Sequence, residues 1–182
     1  MLAATGGLTI PANDSQDVRA LSLSARIAIA LHLFRGYCNR RGLNHAEIDR
    51  FVEHLWEFIA LPVGGGGFEA WKKREPPLTH VGLGDDFPSE FRSVLAAADV
   101  SAADFRQVLG CTTEVLYSTM YGAADEKGSR RYLSELASVA ESVGVEWPDM
   151  SCFSESKWSD CHGWGKRPSE QELAEWRRAG RG

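Results

Sequence analysis

Long apolar runs are missing from this sequence. The best stretch, residues 25–34, is broken by Arg26 and His32, well short of the roughly 18 apolar residues that a membrane-crossing helix needs. The N-terminus has no basic segment ahead of an apolar one, and Gly6 and Gly7 interrupt its short apolar run. No secretory signal or membrane partner is therefore expected, and the cytoplasm is the default location. Cysteine is scarce. The four residues at 38, 111, 152 and 161 are too sparse for a disulfide framework. Cys38 shares a helical ladder with Ile27, Leu31 and Phe34, and Cys111 falls inside a helix. Both read as small buried hydrophobes rather than reactive thiols.

Signatures of catalysis are missing too. There is no P-loop, no Gly-x-Ser-x-Gly nucleophile elbow, no His-Glu-x-x-His and no Cys-x-x-Cys. No Glu-x-x-His pair is present to build a di-iron carboxylate bundle. An enzyme is thus the less expected reading, although a site can be assembled from residues far apart. Glycines 64–67 have no strand before them and no Lys-Ser or Lys-Thr after them. They read as a flexible link between helices rather than a phosphate cradle.

What is present is helical. A helix-start signature occurs twice: Leu43-Asn44-His45-Ala46-Glu47-Ile48 and Val100-Ser101-Ala102-Ala103-Asp104-Phe105. In each, a capping side chain (Asn44, Ser101) precedes an acid three residues on, and apolar residues flank both as a staple. A third such box, Ser169-Glu170-Gln171-Glu172, opens the last segment.

Apolar spacing then predicts the helices. The first runs from near Ser22 or Ser24 to Arg41, with Gly42 in a left-handed stop and an earlier turn from Asp17. The second starts at Asn44 and buries Ile48, Phe51, Val52, Leu55 and Ile59, and is stopped by Pro62 and the glycines. A short helix covers 68–74 and ends at Pro76-Pro77, followed by an irregular loop over 78–87. Another runs from Pro88, capped by Asp86, to about Ala98. A long helix reaches from Ser101 to Tyr121, and one more from Ser129 or Arg130 to Val143. Residues 149–168 lack periodicity. The expected fold is all-α: a compact bundle of six or seven helices with a partly irregular C-terminal tail. Residues 1–16 read as a flexible lead-in, 17–150 as the helical domain, and 151–182 as a Trp-rich tail that packs on the domain or docks a partner.

The net charge of −5 is unevenly spread. Residues 18–44 carry Arg19, Arg26, Arg35, Arg40 and Arg41 and no acid, whereas residues 45–57 carry Glu47, Asp49, Glu53 and Glu57 against Arg50. Neighbouring segments of opposite sign point to complementarity within the chain, which argues against a nucleic-acid role for the arginines. Residues 85–126 are again acidic. Asp85, Asp86, Glu90 and Asp99 read as a surface that steers a basic protein partner, with helix capping and a solvated face as the plainer explanation. Trp158 and Trp164, with Lys157, Lys166 and Arg167 nearby, read as aromatic anchors in the tail, or as rings packed between the chain's own helices.

Two weaker constellations remain. His80, Asp85 and Asp86 sit near one another in sequence and carry the residue types of a metal or acid–base site. Cys152, Cys161 and His162 are soft ligands, but their spacing is not that of a zinc knuckle. No cofactor or metal is expected from either.

The run Tyr37-Cys38-Asn39-Arg40-Arg41-Gly42-Leu43, continuing to Leu55-Trp56-Glu57, resembles a helix-pair pattern of uncharacterised small helical bacterial proteins. Size, acidity and the missing catalytic motif are similar to immunity proteins of bacterial toxin systems. The resemblance implies neutralisation of a cognate toxin by binding, and carries no functional residue over. The sequence thus predicts a non-enzymatic protein–protein interaction module. The alternative is a metal-dependent enzyme or small-molecule binder using the His80 or Cys152–His162 set. A homodimer is compatible with either.

Overall fold

A computed structural model describes residues 18–61 and 66–180. It is all-α: among these residues there is no strand, only an isolated bridge between Leu21 and Lys157. The predicted lead-in, Asp17 and the stop at Pro62 lie outside the described residues; residues 18–20 form a helical turn, separate from the helix that starts at Leu23.

Helix α1, Leu23–Arg40, opens on Ser22, whose hydroxyl accepts a hydrogen bond from the Ala25 N–H. Its buried residues lie all round its circumference, as expected of a helix at the centre of a bundle. Gly42 follows at φ +66°, the left-handed stop that favours glycine. Helix α2, Ala46–Ala60, packs on α1 through the predicted face of Ile48, Phe51, Leu55 and Ile59. Its cap is not Asn44. His45 takes the extended cap position and its ring Nδ1 accepts from the Glu47 N–H. Glu47 turns instead to Arg50, so the predicted reciprocal box does not form.

Helix α3, Phe68–Lys72, is a short turn that buries Trp71 completely. The expected irregular loop contains a helix. Pro77 starts α4, Pro77–Gly82, because proline's fixed φ and missing N–H suit a first helical position as well as they stop a preceding helix. Helix α5 is Ser89–Ala97. Asp86 does not cap it; no side chain does, and Pro88 occupies the cap.

Helix α6, Ala102–Tyr117, is capped by Ser101 as predicted and ends four residues before Tyr121. Helix α7, Glu126–Ser142, starts earlier than expected. Asp125 accepts from the Lys127 and Gly128 N–H groups, so Gly128 falls inside the first turn instead of ahead of the helix. Helices α6 and α7 pack on each other and on α1, and α4 packs on α6. The tail forms single 3-10 turns at Met150–Phe153 and Cys161–Gly163. It then enters α8, Glu170–Arg178, through a full capping box between Ser169 and Glu172.

Candidate interaction surface

The carboxylates at 85, 86, 90 and 99 are all exposed. Three of them share one edge. Asp85 and Asp86 lie between α4 and α5, and Glu90 lies in the first turn of α5. Asp99 follows the far end of that helix, about 13 Å away at 1.5 Å per residue. Its φ is +52° and its carbonyl accepts from Arg41 at 3.5 Å. The edge is therefore residues 83–90, and Asp99 stands apart from it.

The edge is firmly built. The His80 carbonyl accepts from the N–H groups of Leu83 and Asp85, at 3.1 and 3.0 Å, and that of Val81 from Gly84 at 3.1 Å. Gly84 has φ +120°, a turn that a side chain would strain. Arg106, from α6, donates to the carbonyls of Val81 and Asp85 at 3.1 and 2.7 Å and lies over the ring of Phe87 at 4.8 Å. Arg92 donates to the Phe87 carbonyl at 3.2 Å. Two arginines thus clamp the loop backbone from neighbouring helices. The Asp86 carboxylate, 3.5 Å from Arg92 and 3.9 Å from Arg106, has part of its charge met locally. On this frame Leu83 is 44% exposed, and Tyr121 is the other exposed large hydrophobic residue among those described. Sequence reading missed both Leu83 and the Arg106 clamp. Arg106 is 21 residues from the carbonyl of Asp85, and no local pattern announces the contact.

The tail tryptophans lie against the body. The Trp158 backbone N–H donates to the Ala20 carbonyl at 2.8 Å, and its half-buried ring lies under the Arg26 guanidinium at 4.3 Å. The Trp164 ring is 6.0 Å from Phe58, and its carbonyl accepts from the Ser24 hydroxyl at 2.8 Å. Trp176 is 4% exposed. It donates to the Cys152 carbonyl at 3.0 Å and packs on Phe153.

The suggested ligand sets are not brought together. His80 sits on α4 facing Glu75 at 3.9 Å. The Cys152 thiol donates to the Asp149 carbonyl at 2.9 Å, and Cys161 and His162 are exposed in left-handed conformations. Among the described residues no three His, Cys, Asp or Glu side chains gather closely enough to hold a metal ion.

A polar cluster of a different composition lies between α2, α3, α4 and α6. The Glu75 carboxylate, 7% exposed, accepts from Lys72 at 2.5 Å and from the Tyr117 hydroxyl. Burial opposes its ionisation, but these bonds and the Lys72 and His80 charges together hold its carboxyl below the ordinary value. Burial and the Glu75 carboxylate both push the Tyr117 phenol up. Beside them the His54 ring stacks on Trp71 at 4.2 Å, with 7° between planes. Its Nε2 is buried without a hydrogen-bond partner, and burial pulls its pKa down to about 4.

No family model, curated protein or solved structure matches this chain.

Proposed function

We propose that this chain is a non-enzymatic protein–protein interaction module whose 83–90 edge docks a basic protein. Neutralisation of a bacterial toxin by binding is the specific form that the sequence resemblance suggests. One observation carries this reading: an exposed leucine is presented on an acidic loop whose backbone is clamped by Arg92 and Arg106. An isolated exposed leucine needs no explanation. Here it adjoins Asp85 and Asp86 in sequence, with Glu90 in the first turn of the helix that follows, and the loop beneath it has little freedom left to lose. Preorganisation of that kind lowers the ordering cost of binding. The carboxylates speed encounter with a positive partner more than they deepen affinity.

The test is association kinetics with the partner recovered from the source organism's lysate. Reversing two charges, Asp85→Lys with Glu90→Lys, is expected to slow association about tenfold at low salt, with the difference shrinking at high salt. Equal association rates for the two proteins at low salt would contradict electrostatic steering by this edge.

A further inference from the structure

Trp147 stands in the segment between α7 and the 3-10 turn of residues 150–153, half-buried. It forms a wall of three concavities of about 380, 420 and 500 Å³. Its ring N–H donates to the Glu141 carboxylate at 2.5 Å, which tethers the indole where they meet.

The first concavity has the composition of a binding groove. Val18, Leu133 and Ala137, all buried, supply an apolar floor. Arg19, Lys127, Arg130 and Arg131 line it as well. Arg130 is paired with Glu126 at 3.3 Å and Arg131 with Glu135 at 3.7 Å. Arg19 and Lys127 are exposed and have no ion-pair partner among the described residues. The carboxylate in this lining is Glu141, already engaged by Trp147. Two unpaired cations, Arg19 and Lys127, and two paired ones, Arg130 and Arg131, thus face the single carboxylate of Glu141 around an apolar floor and a tryptophan, within a protein whose net charge is −5. Of the neighbouring concavities, one sets Arg40 and Arg35, the latter paired with Asp49, against Glu146, and the other sets Arg178 against Asp149 and Glu175, so the positive excess is largest in the first.

We infer that the groove between α7 and Trp147 docks an acidic peptide segment of a partner protein. Its carboxylates meet Arg19, Lys127 and Arg131, and one aliphatic side chain sits on the Val18–Leu133–Ala137 floor against Trp147. Trp and Arg are the residue types that most often carry binding energy at interfaces. A peptide is favoured over a nucleic acid because Glu141, Glu146 and Glu175 interrupt the basic rim around Trp147. A continuous phosphate backbone would run into those charges, whereas separate carboxylates fit between them. This surface has the opposite charge preference to the 83–90 edge and stands independently of it.

The probe is a fluorescein-labelled peptide of Glu and Asp residues around a central Leu, titrated with the full chain at low salt and read by anisotropy. Saturable binding is expected. Lys127→Glu with Arg131→Glu should weaken it at least about tenfold. Arg130 is left in place because its partner Glu126 also contacts the buried Arg26. Trp147→Ala, which changes no charge, should weaken binding about fivefold or more, and Asp85→Lys should leave it unaltered. Should Trp147→Ala fail to fold, the same peptide without its Leu serves in its place and is expected to bind wild-type protein about fivefold more weakly. The proposal is overturned by absence of saturable binding, by equal affinity with and without the indole or the leucine, or by tighter binding of a single-stranded oligonucleotide of equal charge.

Discussion

The Arg26 guanidinium lies 4.3 Å above the ring of Trp158 and has no exposed surface. Its donors reach the carbonyls of Val18, Arg19 and Glu126 and the hydroxyl of Ser129. One charge in the central helix therefore fastens the entry of the chain, the first turn of α7 and the returning tail. Burial pulls its pKa down to about 10, against the opposing pull of Glu126, so it stays charged at neutral pH.

Arg26→Met is expected to destabilise the fold by about 3–5 kcal/mol, because it takes the donor away from the carbonyls of Val18, Arg19 and Glu126. Arg26→Lys should recover little of this, since one ammonium cannot reproduce the guanidinium fork. Urea unfolding measures both. In a double-mutant cycle with Trp158→Ala, the coupling should be about 1–2 kcal/mol, as for a desolvated cation–π contact.

His54 gives the fold a pH dependence of definite sign. Its folded pKa, about 4, lies below the ordinary 6.5, so its contribution is full above about pH 6.5 and is lost as pH falls toward 4. Lys72 and Arg74 favour its neutral form and Glu75 opposes them, but burial dominates. Between pH 7 and pH 5 the loss should be about 2 kcal/mol. His32, lowered by burial against its bond to the Trp176 carbonyl, adds in the same direction. Glu53, Glu75 and Glu172 are all held low, and their stabilisation is lost only below the ordinary carboxylate range. Denaturant midpoints of wild type and His54→Phe across this window check the sign: the variant keeps an aromatic stack and should lose most of the slope.

The thiols should separate by burial. Cys38 has no exposed surface, and burial pushes its thiol up to about 12; Cys111 is pushed up to about 12 and Cys152 to about 11. Cys161 is exposed. Under native conditions a thiol reagent is expected to modify Cys161 first and to leave Cys38 and Cys111 unmodified until the protein unfolds. Peptide mapping after timed labelling reads this directly.

Much of the fold was legible because it rests on local rules. The Ser101 and Ser169 caps, a first helix starting near Ser22 or Ser24, the Gly42 stop and the apolar faces of α1, α2 and α6 all follow from spacing within a few residues. The misreadings share a cause: residues with two uses. Pro77 can end one helix or begin the next, and it begins α4. Ser129 or Arg130 was the expected start of the helix that ends near Val143, but the Asp125 cap starts α7 earlier, at Glu126. Asp86 had the chemistry of a cap but lies beside Arg92 and Arg106 instead. The candidate surfaces were legible only in part. Acids at 85, 86 and 90 were visible as composition. The Arg106 clamp and the meeting of Trp147 with Arg19 and Lys127 join residues far apart in the chain, and no periodicity encodes them.

Trp176 anchors α8 through Phe153 and the Cys152 carbonyl, while Arg177 holds Glu53 with a two-pronged bond and lies over Trp56 at 5.1 Å. Trp176→Ala is expected to cost about 3–5 kcal/mol and to release the tail to limited proteolysis. Glu53→Gln breaks a half-exposed pair and should cost no more than about 1 kcal/mol. Thermal melts and tryptic digestion of the two variants separate these outcomes.

The central claim is tested most directly by quantitative capture from the source organism's lysate at low salt, with wild type and the Leu83→Asp, Asp85→Lys, Glu90→Lys variant as parallel baits. One basic protein should be recovered near stoichiometrically by wild type, be released at high salt, and be lost from the variant. Intact wild-type bait without such a partner, or a partner held equally by both baits, would contradict the assignment of residues 83–90 as the docking edge.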